Sequence, residues 1–482
     1  DPRLSGLKRY GANYLDDEID TNEVMECALE IANELATRIT ARGKRLHQFS
    51  NTEAINSPGV LEYHNAKPLD RAGSAGFPSC VNNPGTTKGD FLYFNEKHQK
   101  WYFKPEAAQQ VNNINKIIND AARGREHIHP LVAYCKDEPL KLKKIYEAPK
   151  TRIFFSCPFE YLMCFRRFFN SAMYRVQEMY ADIPPKIGIS ATMTDWHYMT
   201  SRLLKVSPYG FASDMANFDS SVPKIFIEAC GVIWNELYSR CSERGEDVLR
   251  DNRIREILHR SIEGAYIISR RNLYKLSQAQ VSGNPATAIE NSFVVWMLYY
   301  LVWKRLALQH APDLANYASF RKNVELACYG DDNVCSVNQS CPWFNFNTFR
   351  IEAKKFGFSV TDALKLGKDV PDFMPIDQLD FLKRKFHNIK GLYVGPLEME
   401  SIKKACYWIR DVRYNVTKDV VGNWPQCNNR ELIQTSIDAL WKEIALHGQE
   451  TYAEMRDHLL RESQLVGIEL HPPTWKQAML EF

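Results

Sequence analysis

The sequence predicts an α/β (α+β) protein with a large buried core. Its 482 residues and 45% hydrophobic content are ample for such a core. Apolar residues alternate on both sides of Gly330-Asp331-Asp332, which is the pattern of a β-hairpin. Over residues 22–42 apolar residues recur at helical spacing instead. We therefore expect both strands and amphipathic helices.

Composition narrows the class of protein. Charged residues make up 25% of the chain, which is typical of globular proteins. The net charge is only +3, so a nucleic-acid binder of this kind would concentrate positive charge in grooves. The longest apolar run, Phe293–Trp303, is shorter than the about 20 residues of a membrane-spanning helix. The twelve cysteines form no CxxC pair, so we expect reduced thiols and an intracellular protein. We also expect no signal sequence at the N-terminus.

The first third of the chain contains two segments suited to phosphate or nucleic acid. Residues 71–78 are rich in glycine and alanine, which allow close approach of a backbone to a partner. Residues 136–152 contain six Lys or Arg and three acids, so their net charge is +3. That density suits a polyphosphate, although a solvated surface would look the same. The apolar run Ile153–Phe155 predicts a strand that would order Lys150 and Arg152.

Residues 211–219 predict a strand that enters a turn, followed by a helix over residues 224–239. Two acids, Asp214 and Asp219, lie five positions apart in this segment. An acid within an apolar strand is costly unless it is paired or binds a metal. Asp214 is therefore a candidate metal ligand.

Residues 282–285 form a polar loop before a predicted helix over residues 286–306. Asn284 is the expected N-cap, and the proline after it the first helical residue. Thr287 and Asn291 are four apart and share one helix face, near an N-terminus that favours anions. Alternatively, both are satisfied polar groups of a packed helix.

The hairpin places Asp331 and Asp332 at its tip, where Gly330 suits a tight turn with positive φ. Most paired acids in turns are solvated surface, so the hairpin alone does not decide between a surface turn and a functional site. Beyond the hairpin we expect a helix over residues 343–356, a strand over residues 358–361 and a short hairpin at Phe381–Arg384. After residue 395 the pattern is helical.

Two separate segments thus supply three acids suited to hard, oxygen-preferring cations. Mg²⁺ commonly takes one or two carboxylates plus substrate phosphates. Two such ions can activate an attacking hydroxyl and stabilise a leaving pyrophosphate. Asp214, Asp331 and Asp332 therefore predict nucleotidyl transfer with Mg²⁺, for which Mn²⁺ would substitute.

Seven motifs between residues 71 and 386 resemble those of viral RNA-dependent RNA polymerases of the picornavirus-like, positive-strand group. Each motif is a weak signal, but seven in this order are very specific. In chain order they are Gly73–Pro78, Lys136–Arg152, Asp214–Asp219, Ser282–Asn291, Tyr329–Asp332, Phe356–Lys365 and Phe381–Arg384.

The resemblance implies a right-hand fold with fingers, a palm of antiparallel sheet plus helices, and a helical thumb. Fingers would take residues 1–205 and 235–275, the palm residues 206–234 and 276–395, and the thumb residues 396–482. The N-terminal segment would bridge fingers and thumb and enclose the active site.

The resemblance also implies the site residues. Asp214 and Asp331 would ligate the metals, with Asp332 less direct, and Lys365 would protonate the leaving pyrophosphate. NTP-binding residues would be Lys144, Lys150, Arg152, Asp219, Ser282, Thr287 and Asn291. Among these, Asp219, Ser282 and Asn291 would read the ribose 2′-OH, supported by Thr287. Residues along template or primer RNA would be Ser74, Gly76, Gly283, Phe381, Leu382 and Lys383.

The implied partners are RNA template and primer, NTPs, other viral replication proteins and a small viral protein primer. The implied location is the host cell cytoplasm, in membrane-associated replication complexes. Two other readings remain. A reverse transcriptase also carries a Tyr-x-Asp-Asp hairpin, but Asp219 and Asn291 favour a ribonucleotide. A non-catalytic RNA-binding protein would have lost a metal ligand, and all three acids are present.

Overall fold

Helices surround several small sheets in the structure, a computed structural model. It describes residues 6–11, 19–59, 62–63, 66–138, 140, 142–146, 151–191, 193–276, 280–363, 370–407 and 429–480. The α-helices of these residues are α1 (Thr21–Ala41), α2 (Asn51–Asn56), α3 (Ser79–Asn82), α4 (Ala108–Ala122), α5 (Lys143–Tyr146), α6 (Phe159–Glu178), α7 (Met193–Val206), α8 (Phe218–Ser221), α9 (Lys224–Cys241), α10 (Val248–Glu263), α11 (Thr287–His310), α12 (Tyr317–Asn323), α13 (Phe346–Lys355), α14 (Met399–Tyr407), α15 (Asn429–Asp438), α16 (Trp441–Ala445), α17 (Gln449–Leu465) and α18 (Trp475–Leu480).

The strands are β1 (Leu92–Asn95), β2 (Lys100–Phe103), β3 (Leu131–Cys135), β4 (Ile153–Ser156), β5 (Tyr209–Met215), β6 (Tyr266–Ser269), β7 (Asn272–Lys275), β8 (Val324–Tyr329), β9 (Asp332–Val337), β10 (Val360–Asp362), β11 (Met374–Pro375), β12 (His387–Ile389) and β13 (Leu392–Val394). Single 3₁₀ turns occur at Arg9–Gly11, Lys88–Phe91, Pro105–Ala107, Pro312–Leu314 and Ile376–Gln378.

The central sheet brings the two acid-bearing segments together. Its strand order is β10-β5-β9-β8, with β11 also paired to β5, and all pairs are antiparallel. Ser213 of β5 lies opposite Asn333 of β9. Asp214 and the turn at Gly330-Asp331 therefore share one end of this sheet.

A second sheet has the order β4-β3-β6-β7, and its β3–β6 pair is parallel. β1 with β2 and β12 with β13 form separate antiparallel pairs. The backbone N–H of Phe155 in β4 donates to the carbonyl of Ser282 at 2.8 Å. That bond attaches the loop before α11 to the second sheet.

The largest hydrophobic core is built around α11, which is buried on nearly all sides. Its residues from Ile289 to Trp303 are all buried. A helix that is apolar all round belongs in a protein interior, which explains the long apolar run of the sequence. A smaller core near the C-terminus includes Ile402, Trp441 and Ile444. Among the described residues, no helix is long and apolar enough to span a membrane.

Most sequence-predicted elements are confirmed with small shifts. The first long helix is Thr21–Ala41, and the hairpin forms with Gly330 at φ 65°. The helix expected from residue 343 begins only at Phe346, because the Asn345 side chain accepts the Thr348 N–H and caps it. The cysteines of the described segments are free thiols, as expected.

The predicted N-cap at Asn284 is wrong. The helix α11 begins at Thr287, and its N-cap position is Ala286 without a side-chain cap. The Asn284 side chain accepts the Ala286 N–H at 3.1 Å and donates to Glu290 at 3.1 Å. Residues 281–286 therefore form a separate hydrogen-bonded loop before the helix, in which the Asn284 side-chain nitrogen is held by Glu290.

Candidate active site

Asp214 lies one residue before the end of β5 and is exposed, between the buried Ser213 and Met215. The sequence suggested a costly acid inside a strand. That reasoning does not apply, because the side chain leaves the core and lines a cavity of about 730 Å³. The carboxylate is thus accessible to a ligand.

The cavity of about 730 Å³ gathers acids and bases from distant parts of the chain. Its lining includes Arg9, Tyr10, Arg152, Asp214, Asp219, Asp331, Thr361 and Lys383. The first two come from the N-terminal segment, whose 3₁₀ turn contacts α8. The N-terminal segment therefore forms one wall of this cavity, beside Asp219.

Asn333 ties the hairpin turn to the strand that carries Asp214. Its amide nitrogen donates to the Asp331 carbonyl at 2.8 Å and to the Ser213 carbonyl at 3.1 Å. Its side-chain oxygen accepts the hydroxyls of Ser213 at 2.8 Å and Tyr299 at 2.6 Å. Asn333 is completely buried, so these bonds act in a low-dielectric setting and hold the two acid-bearing segments together.

Ser292 of α11 also holds the hairpin turn at Gly330 in place. Its hydroxyl accepts the N–H of Gly330 at 2.8 Å. Since Ser292 follows Asn291 in the helix, one turn of α11 supports both the hairpin and the polar network described next.

The two hairpin acids have raised pKa values. Partial burial raises the pKa of Asp331 to about 6, and the charges of Asp219 and Asp214 add to the effect. Burial raises the pKa of Asp332 to about 7, with the Asp331 charge second. Asp331 remains exposed to the cavity. Such acids are stabilised in their charged form by a cation.

Asp219 is the centre of a polar network at the predicted ribose site. The Ser282 hydroxyl donates to Asp219 Oδ2 at 2.7 Å, and the Asn291 amide donates to Oδ1 at 3.2 Å. The Thr287 hydroxyl donates to the Asn284 carbonyl at 2.7 Å and supports the loop. The Asn291 side-chain oxygen is buried and has no hydrogen-bond partner among the described residues. A ligand hydroxyl would satisfy this acceptor.

A second cavity, of about 780 Å³, borders the loop before α11. It is lined by Ser74, Lys88, Phe154 and Gly283, among others. A Cβ on Gly283, whose φ is 139°, would lie 2.0 Å from the Phe155 carbonyl oxygen. Gly76 does not line this cavity, but a Cβ there would lie 2.3 Å from the Cys157 oxygen. Both positions therefore require glycine for close backbone packing.

Phe381–Arg384 forms a tight turn beside the hairpin. Leu382 and Lys383 adopt positive φ values of 56° and 58°, which are unusual for residues with side chains. This conformation lets the Leu382 N–H donate to Asp332 Oδ2 at 3.0 Å. Asp332 is therefore bonded to the turn, while Asp331 faces the cavity.

The basic segment is only partly described. Arg152 is well exposed, lines the acid-bearing cavity and lies 3.6 Å from Glu138. Lys150 and Lys365 lie outside the described residues, and so does the side chain of Lys144.

Sequence reasoning missed several residues of this region, namely Arg9, Tyr10, Glu290, Ser292 and Asn333. Ser292 and Asn333 directly follow recognised motif residues, and that adjacency was the available signal. Arg9 and Tyr10 carry no local signal, because only the fold brings the N-terminal segment to the cavity.

The carboxylates fit a divalent cation that shares its coordination with substrate. Within the described ranges, no three or more His, Cys, Asp or Glu side chains surround one point. Two carboxylates of the described residues would therefore share an ion with ligands from elsewhere. Asp214 and Asp331 offer hard oxygen ligands in one cavity, and Mg²⁺ commonly combines one or two such ligands with phosphate oxygens.

Comparison with known proteins agrees with this geometry. The chain is 27% identical over 469 residues to the replicase polyprotein of cricket paralysis virus, covering 95% of this chain and 25% of the polyprotein. It is 26% identical over 489 residues to the genome polyprotein of rice tungro spherical virus (strain A), covering 98% of this chain and 13% of that protein. The chain thus spans a quarter or less of these relatives.

A solved structure shares the fold. The Sicinivirus 3Dpol RNA-dependent RNA polymerase matches with a TM-score of 0.73 and 17% identity, over 100% of this chain and 88% of that one. The predicted right-hand polymerase fold is confirmed by this match. The sequence model of the viral RNA-dependent RNA polymerase family matches residues 4–462. The chain therefore belongs to the viral RNA-dependent RNA polymerase family.

Proposed function

We propose that the chain synthesises RNA on an RNA template by two-metal nucleotidyl transfer and so replicates a viral genome. One observation carries the proposal. Asp214 and Asp331 line one cavity with Asp219, whose carboxylate is bonded to Ser282 and Asn291. Metal-ligating and ribose-binding groups are therefore neighbours, as the incorporation of a ribonucleotide requires.

Asp214 and Asp331 would hold the ions, and Asp332 would contribute charge and anchor the adjacent turn. Members of the family depend on metal ions, and we propose Mg²⁺, with Mn²⁺ as a substitute. When bound, two ions activate the attacking hydroxyl and stabilise the leaving pyrophosphate. The raised pKa values of both hairpin acids support this assignment, because burial and neighbouring carboxylates disfavour their charged forms and a bound cation would stabilise them.

The nucleotide would lie in the acid-bearing cavity. Arg152 would bind the triphosphate there, with Lys150 and Lys144 assigned by the motif alone. Asp219, Ser282 and Asn291 would bind the ribose 2′-OH, which both donates and accepts. The Asn291 side-chain oxygen, which has no hydrogen-bond partner within the described part of the chain, supports that role, since the 2′-OH can donate to it. Lys365 would donate a proton to the departing pyrophosphate.

RNA would pass on both sides of this site. Ser74 and Gly283 border the second cavity, so the template would enter there, close to Gly76. The primer would be gripped by Phe381–Lys383, whose turn is bonded to Asp332. We also propose the division into fingers, palm and thumb given above, although α9 runs unbroken across its boundary at residues 234 and 235.

The polyprotein relatives suggest that other viral replication proteins act beside this chain. We propose that synthesis takes place in the host cell cytoplasm, in membrane-associated complexes formed through those partners. We further propose a small viral protein as the primer of initiation.

The experiment that tests the proposal is primer extension on an RNA template with Mg²⁺ and four NTPs, with wild type beside Asp331→Asn. Asparagine keeps the size of the side chain but removes its charge. We expect template-dependent extension by wild type and a loss of at least about 10²-fold in the variant. Equal extension by both proteins would identify a contaminant, and RNA binding without extension would identify a binding protein.

The same assay with dNTPs tests the sugar. Ribonucleotide selection predicts much slower extension with dNTPs than with NTPs. Efficient use of dNTPs would contradict the role given to Asp219 and Asn291 and would favour a reverse transcriptase.

A further inference from the structure

Glu290 is a buried acid that the proposed reaction does not use. It lies on α11 between Thr287 and Asn291, and its side chain is completely buried. A buried charge is unfavourable unless it is paired and fully hydrogen-bonded. The partners of Glu290 therefore indicate why the acid is there.

The two carboxylate oxygens of Glu290 face different parts of the molecule. Oε1 accepts the Trp234 indole N–H at 3.0 Å and lies 3.3 Å from His259 Nε2. Oε2 accepts the side-chain amides of Gln280 at 2.6 Å and Asn284 at 3.1 Å. One oxygen is bonded to helices α9 and α10, and the other to the loop before α11.

The negative charge of Glu290 is stabilised by its partners on helices α9 and α10. Burial lowers the pKa of His259, but the Glu290 charge and hydrogen bonds to Glu263 and Glu290 outweigh burial and raise it to about 9. His259 Nδ1 lies 3.0 Å from Glu263. Glu290 is thus an anchored anion whose second oxygen is committed to the loop.

Gln280 and Asn284 stand on either side of Ser282-Gly283. Ser282 is the residue that donates to Asp219 at 2.7 Å, and its carbonyl accepts the Phe155 N–H at 2.8 Å. The loop is therefore held at both flanks by one carboxylate and at its centre by β4. A shift of either flank would move the Ser282 hydroxyl away from Asp219.

We propose that Glu290 is a positioning residue for ribonucleotide selection, which holds Ser282 against Asp219 through Gln280 and Asn284. This inference rests on the proposed ribose-binding role of Asp219, Ser282 and Asn291. In this role, Glu290 contacts neither the substrate nor a metal ion. Its action is to fix the distance between the Ser282 hydroxyl and the Asp219 carboxylate before the nucleotide enters.

The test compares loop-side with helix-side variants in single-nucleotide incorporation, with kcat/KM measured for ATP and for dATP. The loop-side variants are Gln280→Met and Asn284→Ala, and the helix-side control is Glu263→Gln. Each loop-side variant removes one donor to Glu290, whereas Glu263→Gln removes the charge beside His259 and keeps a hydrogen-bond acceptor there. Glu290→Gln is a further variant that keeps shape but turns one acceptor into a donor.

For the loop-side variants and Glu290→Gln we expect kcat/KM for ATP to fall by about tenfold, a typical consequence of one misplaced hydrogen bond. We expect kcat/KM for dATP to stay unchanged, because dATP lacks the hydroxyl that the network reads. Glu263→Gln should keep the wild-type ratio of the two constants. Thermal unfolding checks that the variants are folded, and Gln280→Met, which preserves volume, covers the case in which Glu290→Gln does not fold.

Two outcomes would overturn the inference. Equal loss for ATP and dATP in the loop-side variants would indicate general destabilisation. A wild-type ratio in those variants would show that the loop does not need its anchor. An Asn291→Ala variant distinguishes these two outcomes from failure of the proposed function. If this variant also keeps the wild-type ratio of kcat/KM for ATP to that for dATP, the ribose-binding role itself is wrong.

Discussion

At the residue scale, the hairpin acids are held in positions where they repel one another. Asn333 bonds to the Asp331 carbonyl and to β5, and Asp332 accepts the Leu382 N–H. The network fixes the backbone but brings no cation to the carboxylates within the described residues. Such an arrangement favours ligand binding over stability, as functional sites commonly do.

Asp331→Asn should therefore stabilise the metal-free protein. The raised pKa of Asp331, about 6, means that its ionised form is disfavoured in the folded state at pH 7.5. In chelator we expect the variant to unfold about 1–3 °C higher than wild type, a small gain because Asp331 is solvent-exposed. Differential scanning fluorimetry measures it.

The predicted difference in unfolding temperature can be tested further by changing the pH and by adding Mg²⁺. As pH falls from about 6 towards 3.8, Asp331 becomes protonated in the folded state and the difference between the proteins should shrink. Added Mg²⁺ should raise the unfolding temperature of wild type more than that of the variant, since a ligand stabilises the state that binds it. A variant less stable than wild type in chelator would contradict the account.

At the element scale, an ion pair joins the Phe381–Arg384 turn to the C-terminal helices. Arg384 donates two hydrogen bonds of 2.8 Å to Glu443 of α16 and one of 2.6 Å to the Gly395 carbonyl. The side chains of Arg384 and Glu443 are only 14% and 15% exposed. A bidentate pair this well buried is far more sensitive to loss of a partner than a surface pair.

Glu443→Gln should loosen the attachment of the turn to α16. We expect a loss of about 1–3 kcal/mol in unfolding free energy, because one charge of a half-buried pair is left unmatched. We also expect shorter products in primer extension with an unchanged KM for NTPs, since the turn is assigned to the primer. Urea unfolding and product-length analysis measure these effects.

The matched control is Asp457→Asn in α17. Asp457 pairs with Arg456 at 2.8 Å, but both side chains are well exposed, at 54% and 38%. Its loss should cost less than about 0.5 kcal/mol and leave product length unchanged. If Glu443→Gln behaved like this control, the pair would not connect the two elements.

At the scale of the whole molecule, α11 joins the parts of the fold. It packs against the central sheet, α1, α9 and α13, and its first turn supports the polar networks of the site. The Glu290–His259 pair ties this helix to α10. The pair is enclosed by the largest core, so its charge state should influence global stability.

Stability should consequently depend on pH through His259. Its folded pKa of about 9 lies above the ordinary value of 6.5, so the stabilisation is complete below about pH 6.5 and lost as pH rises through 9. We expect the unfolding free energy of wild type to fall by on the order of 1–3 kcal/mol relative to His259→Gln over that range.

The comparison with His259→Gln is needed because another buried group acts in the opposite direction. Burial lowers the pKa of Lys186 to about 8, so its contribution to stability grows as pH rises above that value. Urea unfolding at several pH values gives the difference. Parallel curves for wild type and variant would exclude an ionised His259–Glu290 pair.

Local patterns in the sequence determined much of this protein. The hairpin at Gly330, the strand before Asp219 and the order of the seven motifs follow from spacing along the chain, because turns and amphipathic faces depend on near neighbours. The predictions of a viral RNA-dependent RNA polymerase and of its fold are confirmed by the family and structural matches.

Only the tertiary structure decided how these motifs are held. Strand register brings Asn333 to β5, and helix packing places Glu290 against Gln280 and Asn284. It also turns Asp214 out of the core and starts the helix at Thr287 rather than directly after Asn284. The partner of Asn333 in β5 is 120 residues away, and the partners of Glu290 are chosen among competing hydrogen bonds, so the sequence pattern does not identify these contacts.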